Sequence, residues 1–594
     1  MKKQERRKQK GITLVALVVT IIVLLILAGV TLNIVLDNDG IINKAKQAVD
    51  DYENAQKEEQ ELLGQLDGYF EFDEQAGANK PKLAEGMIPV KWNGRNWVKA
   101  DENNTNFDWY QYDTTNKKWA NVVTVKENGS KTRETYQNAA IGTEIAEEDI
   151  VGMFVWIPRY SYQITNGYHE AANGTGTIEI KFLKGTTDNY EGGTAQRNNK
   201  SNEDFVVHPC FTNGATTGYS NGEYNRELTG IWVAKFEASS STTTEENPNL
   251  GSKYGGGNNI ENQEVTIRPN VTSWRGIEVS NVYTVCKKLT QDGNMHGLGN
   301  ADSHMMKNSE WGSVAYLTQS EYGNPQKSSN PESGVWVNNY YEGDAVEGTT
   351  STYGGLRNYG TTRTGMVGIR EGQTNGRDNS TSYGAKQTNK TVNADGSITI
   401  TYGEVYNSED TADNPTGTPF TNTYYSYETE NGQKGSSTRN IYGIYDLSGG
   451  GWEYTASYLS EIEVPESEQT TVQKRLKNFN DNIPDWEKIK YAGTRNNEDY
   501  TENGETTNGR ILNYRDNSEK YGDALWETAA ENAGNSSCLG WNNDYGSFPY
   551  SAYPFFVRGG PYDDGPNAGV FVFFSTSGGA SDGYSFRPVV VPSL

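Results

Sequence analysis

Short runs of aromatic and β-branched residues, bounded by glycine, proline and asparagine, constrain the fold of this chain more than any other feature. Three such runs are 87–92, 153–160 and 230–236. Runs of this length and composition are typical of β-strands. The stretches between them are rich in Gly, Asn, Thr, Ser and Glu and lack apolar periodicity, so we predict surface insertions there. These insertions span 165–225, 239–262, 322–438 and 497–537. No fixed-period repeat is visible, which argues against a solenoid or a propeller.

Two segments have apolar residues at helical spacing. The segments 279–289 and 309–319 are therefore predicted helices, the first with Val282, Val285 and Leu289 on its buried side. Together with the strands they indicate a chain that combines both types of regular structure.

Composition bounds the class of protein. The chain has 594 residues, of which 34% are hydrophobic, 11% are aromatic and 65 are glycine. These values are typical of packed globular structure and exclude a mostly disordered chain. The net charge of −25 argues against a nucleic-acid partner, because the phosphate backbone would be repelled. Three cysteines cannot form a disulfide framework.

The N-terminus combines a basic leader with a long apolar run. Residues 1–10 carry six Lys or Arg against one Glu, and the charge-free run from Ile12 to Leu36 follows. As a helix this run would be about 37 Å long at roughly 1.5 Å per residue, enough to cross a bilayer. We predict a transmembrane helix over 12–36 and a helical stalk and linker over 37–84, with the bulk of the chain outside. The alternative is an ordinary signal peptide, but its apolar region would be shorter.

This N-terminus resembles the type IV prepilin signature, with Gly11 followed by Ile-Thr-Leu-Val at 12–15. The resemblance implies a leader over 1–11, cleavage between Gly11 and Ile12, and a location on the cell surface or in a pilus of a bacterium. Prepilin peptidase, the membrane and other pilin subunits are the implied partners. Pilins usually carry Glu where this chain has Ala16, and that carboxylate pairs with a neighbouring subunit. We therefore expect a minor or tip subunit, or a surface anchor, rather than a major pilin.

Three blocks in the second half of the chain resemble formylglycine-generating enzymes. Residues 440–454 read N-I-Y-G-I-Y-D-L-S-G-G-G-W-E-Y, similar to the N-x-x-G-L-x-D-M-x-G-N-V-W-E-W block of that family. The R-G-G at 558–560 and the S-F-R-P-V at 585–589 are similar to two further blocks. The resemblance covers about 85–594 and implies a variant of the C-type lectin fold. We therefore predict an α+β fold class: a pilin-like transmembrane helix followed by one generating-enzyme-like, C-type lectin domain over 85–594 with long loop insertions.

The same resemblance implies a structural calcium site at Asn440, Asp446 and Glu453, and no other cofactor. Oxygen-bearing side chains are the ligands that calcium prefers. Gly450 replaces the usual Asn of the family, which leaves a second calcium site unsupported. The structural alternative is that Asp446 caps a turn while Glu453 pairs with a nearby base such as Arg587.

Cysteine placement argues against the activity of that enzyme family. The activity needs a reactive cysteine pair near these blocks, because the thiolates bind copper. No cysteine lies between Arg558 and Arg587; Cys538 precedes them, and Cys210 and Cys286 lie much earlier. We therefore predict no catalytic residue. An enzyme of this superfamily remains the main alternative function, and a structural pilin subunit is the second.

The segment 559–585 differs in composition from the rest of the chain. It contains no Lys, Arg, Glu, Gln, Met or Trp. Many of its positions hold residues that are reached by changing only the first two bases of an asparagine codon. This resembles the variable proteins of diversity-generating retroelements, which hold a changeable surface on a lectin-type fold. The alternative is a Gly- and Ser-rich terminal region that only closes the domain.

We predict a variable binding region over 549–587 that binds an unknown protein or glycan ligand, as in a surface adhesin or receptor. Tyrosine offers rigid amphipathic contact area, and small polar side chains offer adaptable hydrogen bonds. The predicted ligand-binding residues, expected to form one exposed patch, are Tyr562, Asp563, Asp564, Phe574, Ser575, Thr576, Asp582 and Tyr584. The predicted rigid frame is Gly559, Gly560, Asn567, Gly569, Phe571, Phe573, Phe586 and Arg587.

Overall fold

In the part of the chain that the structure describes, β-strands are the main regular secondary structure. In this computed structural model the described residues are Thr20, 71–168, 176–197, 200–214, 224–243, 256–327, 333–338, 363–368, 384–406, 414, 416, 419–459, 470–491, 521–529, 538–549, 552–561, 568–581 and 583–593. Helices are few, and the α-helices within these ranges are α1 (Arg133–Gln137), α2 (Val279–Lys287), α3 (Asn308–Gln319) and α4 (Thr471–Asn482).

The strands are short, as expected for aromatic and β-branched runs interrupted by glycine and asparagine. The first half of them comprises β1 (Phe72–Asp73), β2 (Ala78–Asn79), β3 (Ile88–Trp92), β4 (Trp97–Lys99), β5 (Asn121–Val125), β6 (Ile150–Pro158), β7 (Tyr160–Asn166), β8 (Thr177–Phe182), β9 (Asn189–Tyr190), β10 (Gly193–Thr194), β11 (Val206–Val207), β12 (Gly230–Ala234), β13 (Ser239–Ser240) and β14 (Val265–Thr266). The second half comprises β15 (Ala301–Met305), β16 (Met366–Gly368), β17 (Gly384–Val392), β18 (Ser397–Tyr406), β19 (Phe420–Ser426), β20 (Trp452–Leu459), β21 (Ile489–Tyr491), β22 (Cys538–Leu539), β23 (Tyr545–Gly546), β24 (Phe555–Arg558), β25 (Phe573–Thr576), β26 (Tyr584–Phe586) and β27 (Pro588–Pro592).

One large sheet contains the three predicted strands and the hydrophobic core. Its strand order is β15-β27-β12-β6-β5-β3-β4. All residues of β6 and β12 are buried, and Trp156 lies opposite Trp232 in their antiparallel pairing. The predictions over 87–92, 153–160 and 230–236 are confirmed as β3, β6 and β12. Strand β27 lies between β15 and β12, so residues near the C-terminus occupy an interior position of this sheet.

A second large sheet brings the sequence blocks of the C-terminal half together. Its order is β21-β20-β24-β25-β23-β22, and β26 pairs in parallel with β20. Glu453 of β20 lies opposite Arg558 of β24, and Trp452 of β20 lies opposite Tyr584 of β26. Blocks that are about a hundred residues apart in the sequence are thus neighbours in one sheet.

The predicted insertions contain more regular structure than expected. Strands β8 to β11 lie within 165–225, and β16 to β19 form a separate four-stranded sheet within 322–438. Among the β18 side chains that the structure describes, Ile398 and Ile400 are the buried apolar ones. Two apolar residues in a threonine-rich strand are too few to show a clear period of two.

The predicted helices are confirmed as α2 and α3. Val282, Val285 and Leu289 are buried as expected, although Leu289 lies in the 3-10 turn that follows α2. Every residue of α3 is buried, and the Glu310 carboxylate accepts the main-chain N–H of Lys307 at 2.8 Å, which caps the helix start.

The predicted fold class, an α+β chain with a pilin-like transmembrane helix ahead of a C-type lectin domain, is wrong. The described chain is mostly β-structure, because strand-forming runs recur along it whereas the helical segments are short. Among the described residues, no helix combines the length and apolar character needed to cross a membrane.

Residues Asp67–Leu594 form one compact unit, and Met1–Leu66 form another, of which the structure describes Thr20 only. The predicted leader over 1–11, with Gly11 and Ile12, and the apolar run over 12–36 lie otherwise outside the described residues. Of the predicted stalk and linker, 71–84 are described and contain the antiparallel pair β1 and β2.

Candidate functional site

Four aromatic side chains meet on one face of the second large sheet, and we call Trp452, Tyr545, Phe574 and Tyr584 the aromatic face. The Phe574 ring centroid lies 5.5 Å from that of Trp452 and 5.8 Å from that of Tyr545. Tyr584 lies opposite Trp452 in the parallel pairing, so both side chains project from the same side. Tyr545, Phe574 and Tyr584 are half-buried, while Trp452 is buried beneath Phe574. The face therefore presents partly exposed rings on a packed base.

Strand β25 carries three of the predicted binding residues, but the structure exposes only one of them. Phe574 is half-buried, whereas Ser575 is 4% exposed and Thr576 is 2% exposed. The prediction of an exposed patch is therefore corrected at Ser575 and Thr576. The physical reason is that β25 is an interior strand, flanked by β24 and β23, so its backbone and short side chains are covered.

The remaining predicted binding residues divide into two groups. Tyr584 is half-buried, and its ring meets Tyr454 edge-on at 5.2 Å. The others lie outside the described residues: Tyr562, Asp563, Asp564 and Asp582. The structure thus brings Phe574 and Tyr584 to one face and adds Trp452 and Tyr545, which sequence reasoning missed.

The predicted frame is buried where the structure describes it. Phe571, Phe573, Phe586 and Arg587 have almost no exposed surface, and Asn567 lies outside the described residues. Gly559 and Gly560 have φ angles of 84° and 74°, in the left-handed region that favours glycine. A Cβ atom at Gly560 would also lie 2.9 Å from Ala568 Cα. These glycines therefore fix a tight turn directly after β24. Gly569 is equally confined, since a Cβ atom there would clash with the Asp544 carboxylate.

A buried ion pair joins the two C-terminal blocks. The Arg587 guanidinium donates to both Glu453 carboxylate oxygens, at 2.7 Å from Nη2 and 3.0 Å from Nε. Two further N–H groups donate to the main-chain oxygens of Ala234 and Tyr445. Bidentate pairing of this kind fixes geometry as well as charge. The structural alternative for Glu453 is thus confirmed.

Asp446 connects segments that are distant in the sequence. It does not cap its own turn: its Oδ1 accepts Asn338 Nδ2–H at 2.6 Å and Gly365 N–H at 2.8 Å, and its Oδ2 accepts Glu237 N–H at 3.2 Å. Its φ of 63° is unusual for a residue other than glycine, and these contacts hold it there.

Glu237 adds a third carboxylate beside Glu453 and Asp446. Glu237 Oε1 accepts the Gly451 N–H at 2.8 Å, and Oε2 has no hydrogen-bond partner among the described residues. Burial, together with the charges of Glu453 and Asp446, raises the pKa of Glu237 well above its usual range. Arg587 opposes this rise, but burial and the two neighbouring carboxylates outweigh it and favour the neutral acid. Sequence reasoning missed this residue because it lies three positions beyond the end of β12 and belongs to no motif.

Asn440 has a different set of partners from the other two predicted calcium ligands. Its Oδ1 accepts hydrogen bonds from Thr438 Oγ1 and Tyr442 N, and its Nδ2 donates to the main-chain oxygens of Asn116 and Lys117. Within the described ranges, no group of three or more His, Cys, Asp or Glu side chains is arranged to hold a metal ion. Calcium at Asn440, Asp446 and Glu453 stays a prediction.

Two of the three cysteines have buried thiols. Burial raises the pKa of Cys210 and of Cys286 well above the usual range, which disfavours the reactive thiolate. His208 accepts the Cys210 main-chain N–H through Nδ1 at 3.3 Å, and burial lowers the pKa of His208 to about 3. This pair is therefore neutral. Cys538 begins β22.

A buried charged cluster around His304 also escaped sequence reasoning. His304 donates through Nδ1 to Asp302 Oδ2 at 2.6 Å and through Nε2 to Glu310 Oε1 at 2.9 Å. Lys307 Nζ lies 3.1 Å from Glu310 Oε1, and Tyr224 Oη donates to the same oxygen at 2.6 Å. Burial alone would lower the pKa of His304, but Glu310 and Asp302 outweigh it and raise the pKa to about 9. Both ring nitrogens are occupied, so this imidazolium ties β15 to α3 rather than acting as a base.

Comparison of the chain with family models gives no match, and comparison with curated proteins gives none either. The resemblances drawn from the N-terminus, from 440–454 and from 559–585 stay predictions.

Proposed function

We propose that this protein binds a protein or glycan ligand through the aromatic face and the segments next to it. The observation that carries this proposal is the set of three half-buried rings, Tyr545, Phe574 and Tyr584, on one side of a sheet. Aromatic side chains supply large contact area at low cost in conformational entropy. The surface turn 577–581, which includes the exposed Ala580, lies between the strands that carry Phe574 and Tyr584.

The buried frame residues beneath the aromatic face are separate from its partly exposed rings, which favours a surface whose residues can be replaced. The Arg587–Glu453 pair, the buried Phe571 and Phe573, and the left-handed turn at Gly559 involve none of the partly exposed rings. Replacing Phe574 or Tyr584 would therefore remove surface contact area and little of the packing that defines the sheet. This separation is what a diversified binding region requires.

A binding experiment tests the first part of the proposal. Peptides are selected from a displayed random library on the full chain, and their affinities are measured for Phe574→Ala and Tyr584→Ala. We expect each variant to weaken binding by about 1–3 kcal/mol if the ring is a hot spot. Tyr190→Ala is the matched control, because Tyr190 is also half-buried but packs against Phe205 at 5.5 Å in a different sheet. Equal affinities for the face variants and the control would contradict the proposal.

Sequencing tests the second part, diversification. The 3′ end of the gene is sequenced from many cells of one population. We expect substitutions at the codons of Phe574 and Tyr584, with those of Phe571 and Arg587 constant. A uniform sequence in every cell would refute diversification, and it would leave the binding experiment to decide whether a fixed surface binds ligand.

A further inference from the structure

The segment 521–529 is attached to the core through two buried carboxylates. Glu527 accepts hydrogen bonds from four donors, all of them neutral: Tyr162 Oη at 2.9 Å, Tyr316 Oη at 2.7 Å, the Gly522 N–H at 2.8 Å and Ser201 Oγ. Asp523 Oδ2 accepts Tyr491 Oη at 2.7 Å, and Asp523 Oδ1 accepts the Leu525 N–H at 3.1 Å. Both carboxylates are buried.

Arg558 lies close to this pair without neutralising it by direct contact. Its Nη1 and Nη2 atoms donate to the main-chain oxygens of Asp523 and Ala524, each at 3.0 Å. Within the described part of the chain, Asp523 and Glu527 form no ion pair with Arg558 or any other cation. Arg558 is the residue before Gly559, so the same two carbonyls hold the entry to the left-handed turn beside the candidate binding region.

Two acids buried side by side among neutral donors favour uptake of one proton. Burial raises the pKa of Glu527 above its usual range, although its four hydrogen bonds favour the ionised form; burial together with the Glu527 charge raises the pKa of Asp523 to about 7. The other titratable or charged groups that face the pair are Tyr162, Tyr168, Tyr316, Tyr491, Tyr521, His208, Asp544 and Arg558. Burial lowers the pKa of His208 to about 3 and that of Arg558 to about 10, and it raises the pKa of Tyr162 and Tyr316 well above their usual range. Asp544, whose pKa burial raises to about 7, is the neighbour that must be tested separately.

We propose that Asp523 is a proton-operated latch: its neutral form seats 521–529 against Arg558, and its ionised form loosens that segment and the turn it supports. Whether low or high pH favours the seated state depends on which state binds the proton more tightly. An acid that holds its proton more tightly in the seated state favours seating at low pH, and the advantage disappears as pH rises from about 4 to about 7.

Hydrogen exchange of the full chain, followed by mass spectrometry at pH 5 and pH 8, tests the latch. After correction for the intrinsic exchange rate, we expect the opening constant of a peptide covering 521–529 to rise at least tenfold. The upper limit between these two pH values is about a hundredfold for one proton, because a carboxyl of pKa 3.8 in the open state is already ionised at pH 5 while the seated carboxyl titrates at about 7. Peptides of β6 serve as the internal reference and are expected to show no such rise.

Two variants test whether Asp523 is the group whose protonation controls the opening of 521–529. Asp523→Asn keeps the shape but cannot ionise, so its opening constant should be the same at both pH values. Asp544→Asn is the matched control, because it removes another buried acid whose pKa burial raises to about the same value. The rise of the opening constant between pH 5 and pH 8 should be unchanged in this variant. If Asp523→Asn fails to fold, Tyr491→Phe replaces it: loss of the hydrogen bond that favours the ionised carboxylate should move the midpoint to higher pH. The proposal is overturned if the opening constant of the wild type is the same at pH 5 and pH 8. It is also overturned if the opening constant still rises in Asp523→Asn, or if it no longer rises in Asp544→Asn.

Discussion

Replacing His304 with glutamine should remove stability in a way that depends on pH. In the wild type the imidazolium lies between Asp302 and Glu310, with Lys307 also bound to Glu310. Glutamine is similar in length and can keep one hydrogen bond, but it carries no charge at any pH. The variant therefore separates the charge of His304 from its packing.

The magnitude follows from the pKa of His304, which rises from 6.5 to about 9 on folding. A raised pKa means that the folded state binds the proton more tightly, so this contribution is present below pH 6.5 and is lost as pH rises through about 9. The difference corresponds to about 3 kcal/mol at one pKa unit per 1.36 kcal/mol. We therefore expect the advantage of the wild type over His304→Gln to shrink by about 3 kcal/mol between pH 6.5 and 9.5.

Urea denaturation followed by tryptophan fluorescence measures this difference at several pH values. His296→Gln is the matched control: His296 is also buried, but its nitrogens contact Thr124 Oγ1 and the Val265 main-chain oxygen, and burial lowers its pKa to about 4. That variant should lose a nearly constant amount over the same range. The reasoning is refuted if the loss in His304→Gln is equally constant, because His304 would then be neutral throughout.

Three further substitutions test the sheet that carries the candidate site. Arg587→Gln should lower the free energy of unfolding by about 3–5 kcal/mol in urea denaturation, because it leaves Glu453 buried without its partner. Glu237→Gln should match the wild type in melting temperature at pH 5 and exceed it at pH 8. In the wild type the buried acid stays neutral while its unfolded form ionises as pH rises, which favours unfolding; a lower value for the variant at pH 8 would show that Glu237 is an anion in the folded state. Phe571→Ala should cost about 3–5 kcal/mol of unfolding free energy, whereas Phe574→Ala should cost clearly less, and equal losses would mean that both rings belong to the core.

The sequence allowed the strands and helices of the core to be predicted because their signals are local. The aromatic runs at β3, β6 and β12 and the apolar spacing of α2 each lie within a dozen residues. The pairing of Glu453 with Arg587 could also be anticipated, since both residues belong to recognisable blocks.

The errors come from features that depend on distant partners. Ser575 and Thr576 have the composition of a surface, and only the positions of β24 and β23 on either side show that they are covered. The His304 cluster depends on Tyr224, which lies 80 residues away in the chain and belongs to no motif. Polar residues of this kind give no periodic signal, so their burial follows from tertiary packing alone.

The interior position of β27 has a consequence for how the chain is made. The first large sheet cannot be completed until residues 588–592 have left the ribosome. Until then, the edges of β12 and β15 that pair with β27 have no partner strand. Pairings over such sequence distances are slow and expose the nascent chain to aggregation. A premature stop or a frameshift within 559–585 would remove β27 together with β26 and leave the first sheet open. Only copies in which the whole candidate region has been translated in frame can therefore complete the core.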